Sequence, residues 1–101
     1  MIPIEKVKSI INTYEKLEKE LSSSSIDKKD FVKKSKEYSN IGEIINEAKG
    51  YISFENEKEG LEKIINEKST DKEMIQLAKD ELSQLTKKNL DHEKVLKFYL
   101  L

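Results

Sequence analysis

Residues 70–100 read TDKEMIQLAKDELSQLTKKNLDHEKVLKFYL. Through them Ile75, Ala78, Leu82, Leu85, Asn89, His92, Leu96 and Tyr99 recur at alternating spacings of three and four. That is the period of an α-helix with one seam held against a partner, sustained for three heptads. Thr70 and Glu73 have the spacing of a capping box, with Asp71 as an alternative cap, which predicts a helix over 71–100. Immediately upstream, Lys68-Ser69-Thr70 is a connection short enough to make the two flanking segments antiparallel neighbours.

Working back from that turn, Phe31, Tyr38, Ile41, Ile45, Ala48 and Ile52 form one stripe that starts just after Asp27, a plausible N-cap. Tyr51, Phe54, Leu61 and Ile65 continue it with a shift, and Lys58 interrupts them. Gly42, Gly50 and Gly60 each cost about 1 kcal/mol relative to alanine in a helix interior. No proline breaks the run, so it is predicted as one long helix over 28–67. The competing reading splits it near Gly42 or Gly50. Val7, Ile10, Tyr14, Leu17 and Leu21 mark a first helix over 4–21, with Pro3 suited to its first turn and Ser22–Ser25 forming a polar loop after it. The expected fold is all-α: a single helical domain over 1–101, a three-helix bundle built on a long antiparallel hairpin. The hairpin tip, around Gly60 to Glu73, should project beyond the short first helix.

Composition agrees with an elongated helical form. Hydrophobic residues are 36% and charged residues 39%, lean for a compact sphere but sufficient for helices that each bury one narrow seam. Cysteine is absent, which excludes disulfides and thiolate metal sites. No apolar run approaches the roughly 20 residues that cross a bilayer, and the first residues lack the apolar core of a signal peptide, so a cytoplasmic location is expected. Net charge is −1 and every cation is a lysine, whereas phosphate-binding surfaces usually carry a basic excess and arginine. Autonomous nucleic-acid binding is therefore not expected, although contacts inside a larger assembly stay open.

No catalytic site and no metal site is expected. His92, the only histidine, sits on the helical seam, where a ligand or base would need a partner that no motif supplies; its plain reading is a polar seam residue. Asn89 on the same seam is read as setting register. Asp80-Glu81 and the Glu18–Glu20 region are read as solvated faces interleaved with lysines, and no glycine-rich phosphate loop occurs, so no cofactor or small-molecule substrate is expected. Lys63, Lys68 and Lys72 at the tip are the one cluster with a docking reading, toward acidic protein or rRNA, beside the plain reading of solvation. Phe98, Leu100 and Leu101, with Val95, Leu96 and Tyr99, make an apolar run too broad for one seam and are read as an interdomain or interface surface.

Two stretches resemble a known family. One is Asp30-Phe31, then Ser35-Lys36-Glu37-Tyr38 and Ile41; the other is Asp71-Lys72-Glu73-Met74, Leu77-Ala78-Lys79-Asp80-Glu81-Leu82, and the closing Leu96, Leu100 and Leu101. Their order and separation resemble the amino-terminal domain of bacterial class I peptide chain release factors along essentially all 101 residues. The Ser-Lys-Glu-Tyr stretch is similar to the release factor one branch, which reads UAA and UAG; the release factor two pattern has an early tryptophan, and this chain has none. Lys72 departs from a frequent proline, and the serine loop is plainer than usual. The resemblance implies a non-catalytic amino-terminal part of a larger protein that terminates translation. It also implies that the codon-reading tripeptide and the Gly-Gly-Gln loop lie in other domains, since neither pattern occurs here. The implied partners are the ribosome at the large-subunit stalk base, through protein and rRNA, the class II release factor GTPase, and the remaining domains of the same chain. The residues alone leave an alternative: a free-standing coiled-coil adaptor that self-associates or binds a partner helix.

Overall fold

The computed structural model describes residues 1–69 and 71–101, with four helices and, among the described residues, no strand. The helices are α1 (Ile4–Leu21), α2 (Lys28–Gly42), α3 (Ile45–Asn66) and α4 (Lys72–Leu100). The all-α expectation holds, and α1 has the predicted bounds. Asp71 caps α4, its carboxylate accepting the Glu73 backbone N–H at 3.3 Å. Thr70, the other half of the predicted capping box, lies outside the described residues. Asp27 occupies the N-cap position of α2, but its side chain makes no cap hydrogen bond.

The predicted single helix over 28–67 is corrected: it is two helices, and the three-helix bundle has four. At Ile44 the backbone leaves helical geometry, with φ −121° and ψ 6°. The Glu43 and Ile44 N–H groups reach back only three residues, to the carbonyls of Asn40 and Ile41 at 3.3 and 3.0 Å. The two shifted stripes are the physical reason. On one continuous helix, Phe31, Tyr38 and Ile41 would point to a different face from Tyr51, Phe54 and Leu61. The first stripe crosses the break through Ile45, Ala48 and Ile52, and the break beside Gly42 lets α2 settle on α1 while α3 packs on both α1 and α4.

In the packing, α3 lies between α4 and α1, and α2 rests mainly on α1. Ile2 meets Tyr51 through hydrogen bonds, and Tyr14 lies beside Gly42. α1 therefore runs opposite to α3, away from the α3–α4 turn. Tyr14 stacks on Tyr38 with ring centroids 4.4 Å apart, and Glu20 pairs with Lys34, which makes α2 antiparallel to α1. The two hairpin turns accordingly lie toward opposite ends of the molecule. One core joins the layers: Val7, Leu17, Ile41, Ile44, Ile45, Ala48, Tyr51 and Leu96 are buried together with Ile2. Beyond Tyr51, α3 and α4 continue as a two-helix arm in which Ala78 is the one buried residue among those described. The result measures 60 × 29 × 19 Å, with a Cα radius of gyration of 18.4 Å; a compact chain of this length would have about 13 Å.

Candidate functional site

Side chains that could do chemistry are sparse and scattered. Among the described residues, no group of three histidine or carboxylate side chains is placed to hold a metal ion. His92 packs on α3 where a glycine leaves room: a Cβ added at Gly50 would stand 2.7 Å from its Nε2. Asn89, one step earlier, has its Oδ1 buried without a hydrogen-bond partner among the described residues. Both polar seam residues face a small cleft bordered by Gly50, Ser53, Phe54 and Leu85. The structure therefore keeps them at the helix contact, as their spacing predicted.

Two surfaces remain. At the tip, Lys63 lies in the last turn of α3, Lys68 in the connection and Lys72 at the start of α4, all three exposed. Lys63 and Lys68 border one shallow hollow with Glu59, Glu62, Asn66 and Glu67; Lys72 is not part of its lining. Residues 59–73 hold five carboxylates and three lysines, so the tip is mildly acidic despite its lysine cluster. Met74 and Leu77 are exposed just along α4.

At the other end of α4, Phe98 is 80% exposed and Leu101 fully so. Phe98, Leu100 and Leu101 border an apolar hollow floored by Ile2 and Pro3. On its other side Phe98 borders a second hollow with Ile44, Val95 and Tyr99. Of the predicted C-terminal run, Leu96 is buried in the core, while Val95, Phe98, Tyr99, Leu100 and Leu101 are exposed, with Phe98 the ridge between the two hollows and Lys94 bordering both. The edge of this surface is fixed electrostatically: Glu93 accepts Lys97 at 2.9 Å and the Met1 ammonium at 3.0 Å. Lys97 foremost, then the N-terminal ammonium, hold the Glu93 carboxyl below its ordinary value, and Glu93 in turn raises Lys97.

Whole-chain composition concealed one feature. α2 contains five lysines and two carboxylates, while α3 contains three lysines and five carboxylates. The signal was available in the sequence as a local charge count over residues 28–36.

The sequence signature of the PCRF domain matches residues 10–101. Among curated proteins, the chain is 46% identical over 101 residues to peptide chain release factor 1 of Pelagibacter ubique (strain HTCC1062), covering all of this chain and 28% of that protein. It is 32% identical over 100 residues to peptide chain release factor 1 of Bartonella tribocorum (strain CIP 105476 / IBS 506), covering 99% of this chain and again 28% of the relative. The chain thus spans little more than a quarter of the length of these relatives. No solved structure matches the chain significantly.

Proposed function

This chain belongs to the PCRF domain family, and from that premise we propose that it is the amino-terminal ribosome-docking domain of a peptide chain release factor acting at UAA and UAG. The alignment to release factor 1 across the entire chain is the observation that carries the reading. In this reading the domain performs no chemistry. It holds the factor on the large subunit near the stalk base, against protein and rRNA, and it communicates with the class II release factor GTPase. The working domains follow Leu101 in the longer protein, whose place of action is the cytoplasm.

The geometry suits such a task. A 60 Å body with a two-helix arm spans distance, a task that needs no pocket. Lys63, Lys68 and Lys72 are the proposed contacts at the tip, and Phe98, Leu100 and Leu101 the proposed seat for the following domains. An apolar ridge that is 80% exposed at Phe98 would serve either a covering domain or a second copy. That exposure is the one observation that favours the alternative, a self-associating adaptor.

The test is a chimaera in which this chain replaces the matched segment of the Pelagibacter ubique relative. It should support peptide release at UAA above the level of the same factor lacking that segment. Release no better than the deletion would overturn the proposal.

A further inference from the structure

α2 carries the strongest charge asymmetry in the molecule. With Tyr38 and Ile41 turned to the core side, Lys29, Lys33, Lys36 and Asn40 recur at four, three and four residues along the opposite, outward face. The three lysines are exposed and, among the described residues, none lies within ion-pair distance of a carboxylate. Lys34 is different: it turns inward and pairs with Glu20. Three unmatched ammonium groups therefore line about 10 Å of one helix face. Val32, 66% exposed, lies beside them.

We infer that this outward face of α2 is a second docking surface, and that its partner is the phosphate backbone of RNA. The inference rests on the ribosome-docking reading above and adds a site to it, because α2 lies toward the end away from the α3–α4 tip. The form of the patch favours RNA over an acidic protein. A row of like charges along one face matches a polyanion with regularly repeated charge. Protein carboxylates are usually interleaved with cations, as on α3 and at the tip of this chain. All three cations are lysines, point charges that attract phosphate without the bidentate geometry that reads a base edge. The contact should therefore be insensitive to RNA sequence and should position the domain rather than specify its target. The chain's net charge of −1 hides the patch, because the acidic arm of α3 cancels the charge of α2.

The experiment measures binding of the 101-residue chain to purified bacterial large ribosomal subunits and, separately, to protein-free rRNA, across a salt titration. The Lys29→Glu/Lys33→Glu/Lys36→Glu variant should bind both at least about tenfold more weakly and lose roughly two to three units of salt slope, close to one per phosphate contact. Replacing the same three residues with arginine should preserve binding, and circular dichroism should give all variants the helix content of the parent chain. If the parent chain binds subunits and the glutamate variant binds equally well, the α2 inference is overturned while ribosome docking stands. Should the parent chain bind subunits through α2 but ignore protein-free rRNA, the partner is an acidic protein and the RNA assignment falls. Binding to rRNA through α2 without binding to subunits supports the surface but removes the docking reading beneath it. Loss of both in the parent chain overturns both.

Discussion

Gly50 and Gly60 are chemically identical positions on α3 with opposite expectations. A Cβ at Gly50 would fall 2.7 Å from His92 Nε2 and 2.9 Å from its Cδ2, closer than such contacts allow. At Gly60 a Cβ would meet nothing within 4 Å. Gly60→Ala gains only the helix propensity difference, about 1 kcal/mol, and should raise the melting temperature by roughly 4–8 °C. Gly50→Ala gains the same propensity but must displace the imidazole from the α3–α4 contact. Overpacking of this kind costs about 1–3 kcal/mol, so its melting temperature should be unchanged or lower by several degrees. In a His92→Ala background the obstacle is gone, and Gly50→Ala should then stabilise by about as much as Gly60→Ala. Thermal melts of the parent and these four variants decide the matter, and a stabilising Gly50→Ala with His92 intact would show that the ring does not hold the helices at that spacing. His92 thus acts in the structure as a space-filling seam residue, with the glycine opposite as its socket. The seam position was legible from spacing, but the glycine across from it was not, because period alone does not say which residue of a partner helix is met.

Among the elements, legibility followed how clearly each stripe stands apart from its neighbours in the sequence. α1, which packs on both α2 and α3, and α4, which packs on α3, each have a stripe isolated by loop residues, and those stripes gave bounds within a residue of those observed. α3 is gripped from both sides, by α4 and α1, and α2 rests mainly on α1. Their stripes therefore overlap in sequence while pointing to different faces, which reads as a single shifted helix. Gly42 was a visible weak point, but the break occurs at Ile44, a buried residue that is 7% exposed, where tertiary packing decides. Lys63, Lys68 and Lys72 were legible as exposed because they flank a turn, whereas the lysine stripe of α2 was lost in a count over the whole chain. The N-terminal segment before α1 was not legible at all. It is fastened by the Tyr51 hydroxyl, which accepts the Ile2 N–H at 3.0 Å and donates to the Ile2 carbonyl at 3.2 Å, and by Glu93 on α4. Glu93 makes that fastening sensitive to acid. Its carboxyl is held below the ordinary value of 4.5 in the folded chain, first by Lys97 and then by the terminal ammonium. A depressed folded-state pKa contributes stability above the ordinary value and loses it as the pH falls through the folded value. Glu93→Gln should therefore lower the melting temperature at about pH 7 and make little difference at about pH 2, where the parent carboxyl is protonated too. The effect should be small, since the Met1 ammonium and Lys97 are both largely in solvent. An equal difference at both pH values would assign the loss to packing instead of charge.

At the scale of the whole molecule, the core is confined to the middle, where the α1–α2 hairpin overlaps the α3–α4 hairpin, and the α3–α4 arm beyond it is nearly coreless. Such a body keeps its extended shape through helix stiffness rather than through burial, and it has apolar surface to spare where the core ends. Phe98, with hollows on both sides and Met1, Leu100 and Leu101 around it, is the ridge of that surface. In a protein that continues past Leu101, the following segment is the nearest cover. With residues 1–101 alone, the available cover is the same face of a second copy, related by a two-fold axis. Burying a phenylalanine side chain fully is worth about 1.5–3 kcal/mol, and a two-fold pair buries two of them. Phe98→Glu should therefore weaken any self-association by at least about tenfold, since 1.4 kcal/mol is one decade in the dissociation constant. Sedimentation velocity over a wide concentration range is the measurement: the parent chain should show a rising weight-average coefficient, and the variant a constant one. X-ray scattering from the monomeric variant should then return a radius of gyration near 18.4 Å rather than the roughly 13 Å of a compact chain of this length. If the parent chain remains monomeric throughout, the exposed ridge is too small to hold two copies, and the adaptor reading loses the one observation in its favour. If both proteins associate equally, the copies meet elsewhere, and the α3–α4 arm with exposed Met74 and Leu77 becomes the surface to vary next.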